Sequence, residues 1–185
     1  MADLKIEIVD YNSRWLEDFQ RESLILYNVL KNTIATIHHI GSTSVPGLAA
    51  KPIIDILIEL ENVSFIDSCN VQMETIGYIA KGEFGIAGRR YFQKGGNNRT
   101  HQIHVFPIGD FNVTRHIAFR DYLIAFPEVA SEYEILKRSV AETCDNDIDR
   151  YCLGKHEFVQ YYEAKAVEWY TLNNPIHMTD NMSAE

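Results

Sequence analysis

The chain lacks any apolar run near the roughly 20 residues that a membrane-spanning helix needs, so no span is expected. Its first residues, Met1 to Ile8, carry Asp, Lys and Glu, which is the wrong pattern for a signal peptide. Cysteine is sparse: Cys69, Cys144 and Cys152 are an odd number with no CxxC and no paired spacing. Such a set reads as free thiols in a reducing compartment, and the cytoplasm is the expected location. There is no linker rich in Pro, Gly or Ser and no internal repeat. Nor is there an excess of positive charge, since 17 Lys and Arg stand against 26 Asp and Glu, a formal net charge of −9. That argues against a general grip on a nucleic-acid backbone, which needs clustered cations. It leaves room for a small phosphorylated ligand held by a few local ones.

What is present fits one globular domain. The 185 residues are 46% hydrophobic and 23% charged, enough for a full core. A single domain over 1–172 is expected, with a flexible tail over 173–185. Leu4, Ile6 and Ile8 alternate with charged residues and predict a short strand. Ser13 is the expected N-cap of a helix over Arg14–Lys31, with Trp15, Phe19, Leu26 and Leu30 on its packed side. Ile37–Ile40 predicts a short strand, and the near-continuous apolar run Ile53–Leu60 a central one buried on both faces. A helix over Ser64–Ile76 should close at Gly77. Strand-like pieces follow at Tyr78–Lys81, Arg89–Lys94 and His101–Phe106, the last two joined by the turn signal Gly95-Gly96-Asn97-Asn98. The remainder predicts helices over Thr114–Phe126, Glu128–Glu142 and Lys155–Leu172. The fold class is therefore α+β, a small mixed sheet flanked by helices with a helical C-terminal part.

Chemistry concentrates in His39-Ile40-Gly41-Ser42-Thr43-Ser44-Val45-Pro46-Gly47-Leu48. A strand ends at Ile40, Gly41 permits close backbone approach, and Ser42, Thr43 and Ser44 offer three hydroxyls in a row. Backbone N–H groups in such a turn form a nest for an anion. The plain alternative is a hydroxyl-rich cap. Twelve residues lie between Ser42 and Asp55, an acid in the middle of the apolar strand. A carboxylate there is costly unless it is paired, hydrogen-bonded or bound to metal. Gly-Ser followed at this distance by a strand acid resembles the nucleotidyltransferase superfamily, in which the turn holds triphosphate and two or three carboxylates hold divalent metal. This chain departs from that pattern: the same-face neighbours of Asp55 are Ile53 and Leu57, and Glu59 is about 13 Å along the strand.

Longer matches place the chain more closely. Tyr11-Asn12-Ser13-Arg14-Trp15, the run from His39 to Asp55, Gly88 to Phe92, Arg99 to Val105, Arg120-Asp121-Tyr122-Leu123, Lys155 and Phe158 resemble the GrpB family. The resemblance extends to about Trp169. It implies a nucleotidyltransferase-like fold. It also implies kinship with domains fused to dephospho-coenzyme A kinase, for which a folding-accessory role has been suggested. Gln102 stands where family members often carry His.

Other polar residues complete the candidate site. His101 and His104 are three apart on a strand and point to opposite faces, so they do not share one metal. His104 is the better catalytic candidate beside Asp55, against the alternative of a buried core histidine. Lys51, Arg89, Arg90, Arg120 and Lys155 are candidate phosphate ligands. The alternative is a set of surface charges, with Arg120 paired to Asp121. Arg89 and Arg90 alternate, so at most one faces a given cleft. Glu83 would supply a further metal carboxylate if its loop folded over the Gly-Ser turn.

The expectation is a domain binding a nucleotide or other phosphorylated small molecule at Gly41–Ser44, with Asp55, together with Glu83 or His104, holding Mg²⁺ or Mn²⁺. Nucleotidyl or phosphoryl transfer is the matching reaction, through positioning and charge neutralisation. The rival is a non-catalytic folding-accessory or ligand-sensing module with a protein partner such as dephospho-coenzyme A kinase. Whether the chain is an enzyme, and on what substrate, the sequence leaves open.

Overall fold

The computed structural model describes residues 6–30 and 34–174. Five strands form one sheet in the order β1-β2-β5-β4-β3: β1 (Ile34–Ile40), β2 (Ile54–Leu60), β3 (Tyr78–Ala80), β4 (Arg90–Lys94) and β5 (His101–Pro107). The β2–β5 pair is parallel and the other three pairs are antiparallel, so the sheet is mixed. The register sets Asp55 opposite Gln102 and Gln102 opposite Gln93 across three strands. Helices α1 (Arg14–Leu30), α2 (Ser64–Ser68) and α3 (Asn70–Thr75) belong to one face. Helices α4 (Phe111–Ala125), α5 (Pro127–Thr143), α6 (Ile148–Gly154) and α7 (His156–Asn173) form the C-terminal part.

The main core lies between the sheet and α1. Ile54, Ile56, Ile58 and Leu60 of β2 meet Trp15, Leu26 and Leu30 of α1, together with Ile103 and Val105 of β5. Because β2 is also covered on its other face, where Leu57 packs with Phe106, Val113 and Ile117, its sequence is apolar almost throughout. A second cluster gathers Val45 and Leu48 against Leu123, Val129 and Tyr133, with Phe158 and Tyr162 packed on it. It ties the loop after the Gly-Ser turn to the C-terminal helices.

Several local expectations shift. Of the strand expected near the N-terminus, Leu4 and Lys5 lie outside the described residues. Residues 6–8 are not strand, and Val9 makes a single antiparallel bridge to Ala50. Asn12, rather than Ser13, caps α1: its Oδ1 accepts from Arg14 N at 3.0 Å. The helix expected over Ser64–Ile76 breaks into α2 and α3 at Cys69. Helix α4 begins at Phe111, earlier than expected, because the Asp110 side chain accepts from Asn112 N at 2.7 Å. Helix α6 was not anticipated, and it supplies one wall of the site. Most of the tail expected over 173–185 lies outside the described residues.

Candidate functional site

The Gly-Ser turn is fastened to β2 by a buried chain of hydrogen bonds. His39 Nε2 donates to Thr43 Oγ1 at 3.1 Å, and that hydroxyl donates to the Ile53 carbonyl at 3.3 Å. The His39 ring stacks on Phe19 at 4.6 Å, and burial, then the charge of Arg120, pushes its pKa down to about 4. It is therefore a neutral donor at physiological pH. Ser44 Oγ donates back to the Gly41 carbonyl at 2.5 Å. Two of the three hydroxyls are thus used in building the turn, and Ser42 is the one left to face a ligand. Gly41 has φ +71° and ψ −174°, a region nearly confined to glycine.

The turn borders a cleft of about 490 Å³. Its floor is the sheet, where Asp55, Gln102, Gln93 and Tyr91 line it from three neighbouring strands. Its walls come from Lys81 and Phe84 of the β3–β4 loop, Lys137 of α5, and Asp149, Tyr151 and Cys152 of α6 with Lys155 just after it. Lys51 and Arg99 complete a ring in which five cations face two carboxylates, within a chain of net charge −9.

Those charges are shifted by their surroundings. Asp55 is pushed up to about 6 by burial, against the pull of Lys51, Lys155 and Arg99. Among the described residues no donor hydrogen-bonds its carboxylate. Lys137 is only 2% exposed, and burial, then repulsion from Lys155, pushes it down to about 7. Its Nζ donates to the Ala49 carbonyl and lies 4.7 Å from the Tyr133 ring centroid. The pKa of Lys51 is lowered by burial and by Lys155. Lys51 and Lys155 share the Tyr151 ring, at 4.8 and 5.0 Å from its centroid. Among the described residues the buried Arg99 Nε has no hydrogen-bond partner.

The structure gathers Ser42, Thr43, Lys51, Asp55 and Lys155 from the expected site, with Gly41 and Ser44 forming the turn behind them. It does not bring the others to the cleft. Arg90 points to the opposite face and forks onto Asp67 at 2.8 and 3.0 Å. Arg120 holds Asp121 at 2.7 Å and the His39 carbonyl at 3.0 Å. Arg89 is buried; it donates to the Glu83 and Phe84 carbonyls and, at 3.2 Å, to His104 Nδ1. His104 stands opposite Leu57 rather than Asp55, packed on Tyr91 and His116. Burial, with Arg89 and Arg115, pushes it down to about 3, so it is a neutral acceptor in a packed cluster. Glu83 turns into its own loop and accepts from Gly88 N at 2.7 Å. Among the described residues no group of three His, Cys, Asp or Glu is placed to hold a metal. Asp55 with neutral amides and three surrounding cations does not fit a resident pair of divalent ions.

Lys81, Arg99 and Lys137 were missed as site cations. Lys137 left a trace: it falls four residues after Tyr133 and eight after Val129, a charge on the buried stripe of α5. For Arg99 and Lys81, in or beside loops, no periodic signal exists.

A glycine-serine turn packed against a strand acid, on a five-stranded mixed sheet flanked by helices, defines an α+β domain. The chain belongs to the GrpB family, whose model, described as GrpB protein, matches residues 5–165. It is 48% identical over 165 residues to the UPF0157 protein YqkA of Bacillus subtilis, covering 89% of this chain and 48% of that protein. The chain thus spans about half the length of that relative. The crystal structure of conserved protein GrpB from Enterococcus faecalis superposes with a TM-score of 0.85 at 40% identity, over 89% of this chain and 99% of that one. A more distant relative, at 25% identity over 194 residues, is a dephospho-CoA kinase of Mycolicibacterium paratuberculosis. That match covers 91% of this chain and 48% of the kinase. Among the described residues no helix is long and apolar enough to cross a membrane.

Proposed function

We propose that this domain binds a phosphorylated small molecule, a nucleotide, with its phosphates in the cleft beside the Gly41–Ser44 turn. The observation that carries this reading is the ring of Lys51, Lys81, Arg99, Lys137 and Lys155 around one enclosed carboxylate. Clustering five cations costs repulsion, and that cost is recovered when an anion arrives. Lysines around the cleft can neutralise phosphate charge without a metal ion. Asp55, with no donor of its own, is the group able to accept a proton from an acceptor hydroxyl in nucleotidyl or phosphoryl transfer. The test is a thermal-shift panel of nucleotides, coenzyme A precursors among them, run in EDTA and again with Mg²⁺. A ligand that binds only the folded chain raises its melting temperature. A shift in EDTA that disappears in Lys155→Met supports the reading. No shift with any phosphorylated ligand, in either buffer, sinks it.

The lone carboxylate on the sheet floor supports a second reading, a ligand-sensing or folding-accessory module without catalysis. The kinship with dephospho-CoA kinase suggests the partner. Co-expression with that kinase should raise its soluble yield, and unchanged yield counts against this alternative.

A further inference from the structure

Phosphate binding leaves one wall of the cleft unexplained. Phe84 is 59% exposed although it lines the cleft. Its ring lies nearly parallel to that of Tyr91, with centroids 5.0 Å apart and planes 13° apart. Tyr91 is itself buried, and its hydroxyl accepts from Gln93 Nε2 at 3.3 Å. One face of Phe84 therefore rests on a fixed ring and the other is turned outward.

The loop is built to keep it there. Phe84 has φ +46°, an outlier for a bulky side chain. The buried Arg89 guanidinium holds the carbonyls of both Glu83, at 3.1 Å, and Phe84, at 2.5 Å. The Glu83 carboxylate closes the loop on Gly88 N. A surface phenylalanine packed for stability alone would not need its backbone clamped at two consecutive carbonyls. Across the sheet, Tyr91 on β4 is two strand spacings from Asp55 on β2 and two residues out of register with it, about 12 Å away. Lys51 and Lys155, which face Asp55, thus sit at one end of the cleft and the aromatic ring, with Lys81 on its loop, at the other.

We propose that Phe84 is the stacking platform for the base of a nucleotide whose phosphates occupy the Lys51, Lys137 and Lys155 end. The ligand class is then nucleoside di- or triphosphates rather than sugar phosphates or inorganic phosphates. This rests on the phosphate-binding reading above. Every base has a π face, so the platform accepts all of them, with purines ahead of pyrimidines.

The experiment titrates the full chain with ATP and with methyl triphosphate, which has the same charge but no base, by calorimetry in EDTA and with Mg²⁺. Wild type should bind ATP roughly 5- to 150-fold more tightly. Phe84→Ala should bring ATP down to the level of methyl triphosphate and leave the latter unchanged. Phe84→Trp should restore the preference and add a fluorescence change with ATP that methyl triphosphate does not produce. Equal affinities in wild type, or a preference that survives Phe84→Ala, overturn the base platform while the phosphate site stands. If neither ligand binds, both readings fall.

Discussion

A Cβ on residue 41 would lie 2.5 Å from Oδ2 of Asp55. The turn and the strand acid are therefore fitted to each other, and the fit requires glycine twice, for its missing side chain and for its positive φ. Gly41→Ala should cost about 3 kcal/mol in urea denaturation. Adding Asp55→Ala should return the part due to the contact, about 1 kcal/mol, and not the backbone part. Strict additivity of the two changes would show that the contact carries no energy.

Asp55 provides a pH test. Its folded pKa, about 6, lies above the ordinary carboxyl value of 3.8. The folded chain thus holds a proton the unfolded chain has lost, and stability falls as pH rises between those values. Asp55→Asn should accordingly melt higher than wild type at pH 7.5, with the difference fading toward pH 4. It should also bind triphosphate more tightly in EDTA, about threefold, since a negative charge leaves a site built for anions. Weaker binding by Asp55→Asn in EDTA would overturn this charge argument, and a loss confined to the Mg²⁺ titration would point to a metal bridging the carboxylate and the phosphates.

Lys137 moves the other way with pH. Its pKa is lowered to about 7, so the unfolded chain holds the extra proton above that pH, and the lysine's contribution to stability grows from pH 7 toward 10.5. Wild type should gain on Lys137→Met over that range in thermal melts. Triphosphate affinity should fall about tenfold in Lys137→Met at pH 6, where the lysine is charged, and less at pH 8. A deficit that grows with pH would place the charge elsewhere.

Cys152 gives a chemical readout of occupancy. It is exposed at the cleft, whereas Cys69 and Cys144 are buried. Iodoacetamide should label one thiol of the native chain, identified by mass spectrometry, and saturating nucleotide should slow that labelling several-fold. Labelling at an unchanged rate would put the ligand away from α6.

Much of this was legible from residue pattern. Apolar spacing and turn signals located β2, β4, β5 and the long helices, and the run from Gly41 to Asp55 falls at the edge of the cleft. Alternation correctly separated Arg89 from Arg90 and His101 from His104. What could not be read was which charges converge. Arg90 and Arg120 sit in motifs as suggestive as that of Lys155, yet nearby acids and carbonyls occupy them. Arg120 does take the neighbouring Asp121 that the sequence offered it, but the hold of Arg90 on Asp67 and of Arg120 on the His39 carbonyl depends on α2 and β1 crossing nearby, a tertiary fact without a local signature. Helix α6 is short and only Tyr151 among its residues is buried, too little periodicity to announce it. Lys137 was hidden because a lysine on an apolar stripe is usually taken for its solvated edge.

The contrast between an acidic chain and its basic cleft bears on which anions can enter. A negatively charged exterior repels any extended polyanion along most of its length, while the cleft's field is concentrated at a single opening. On the reading proposed above, such a field favours compact phosphates over long strands of nucleic acid, so the cleft would act as a charge sieve.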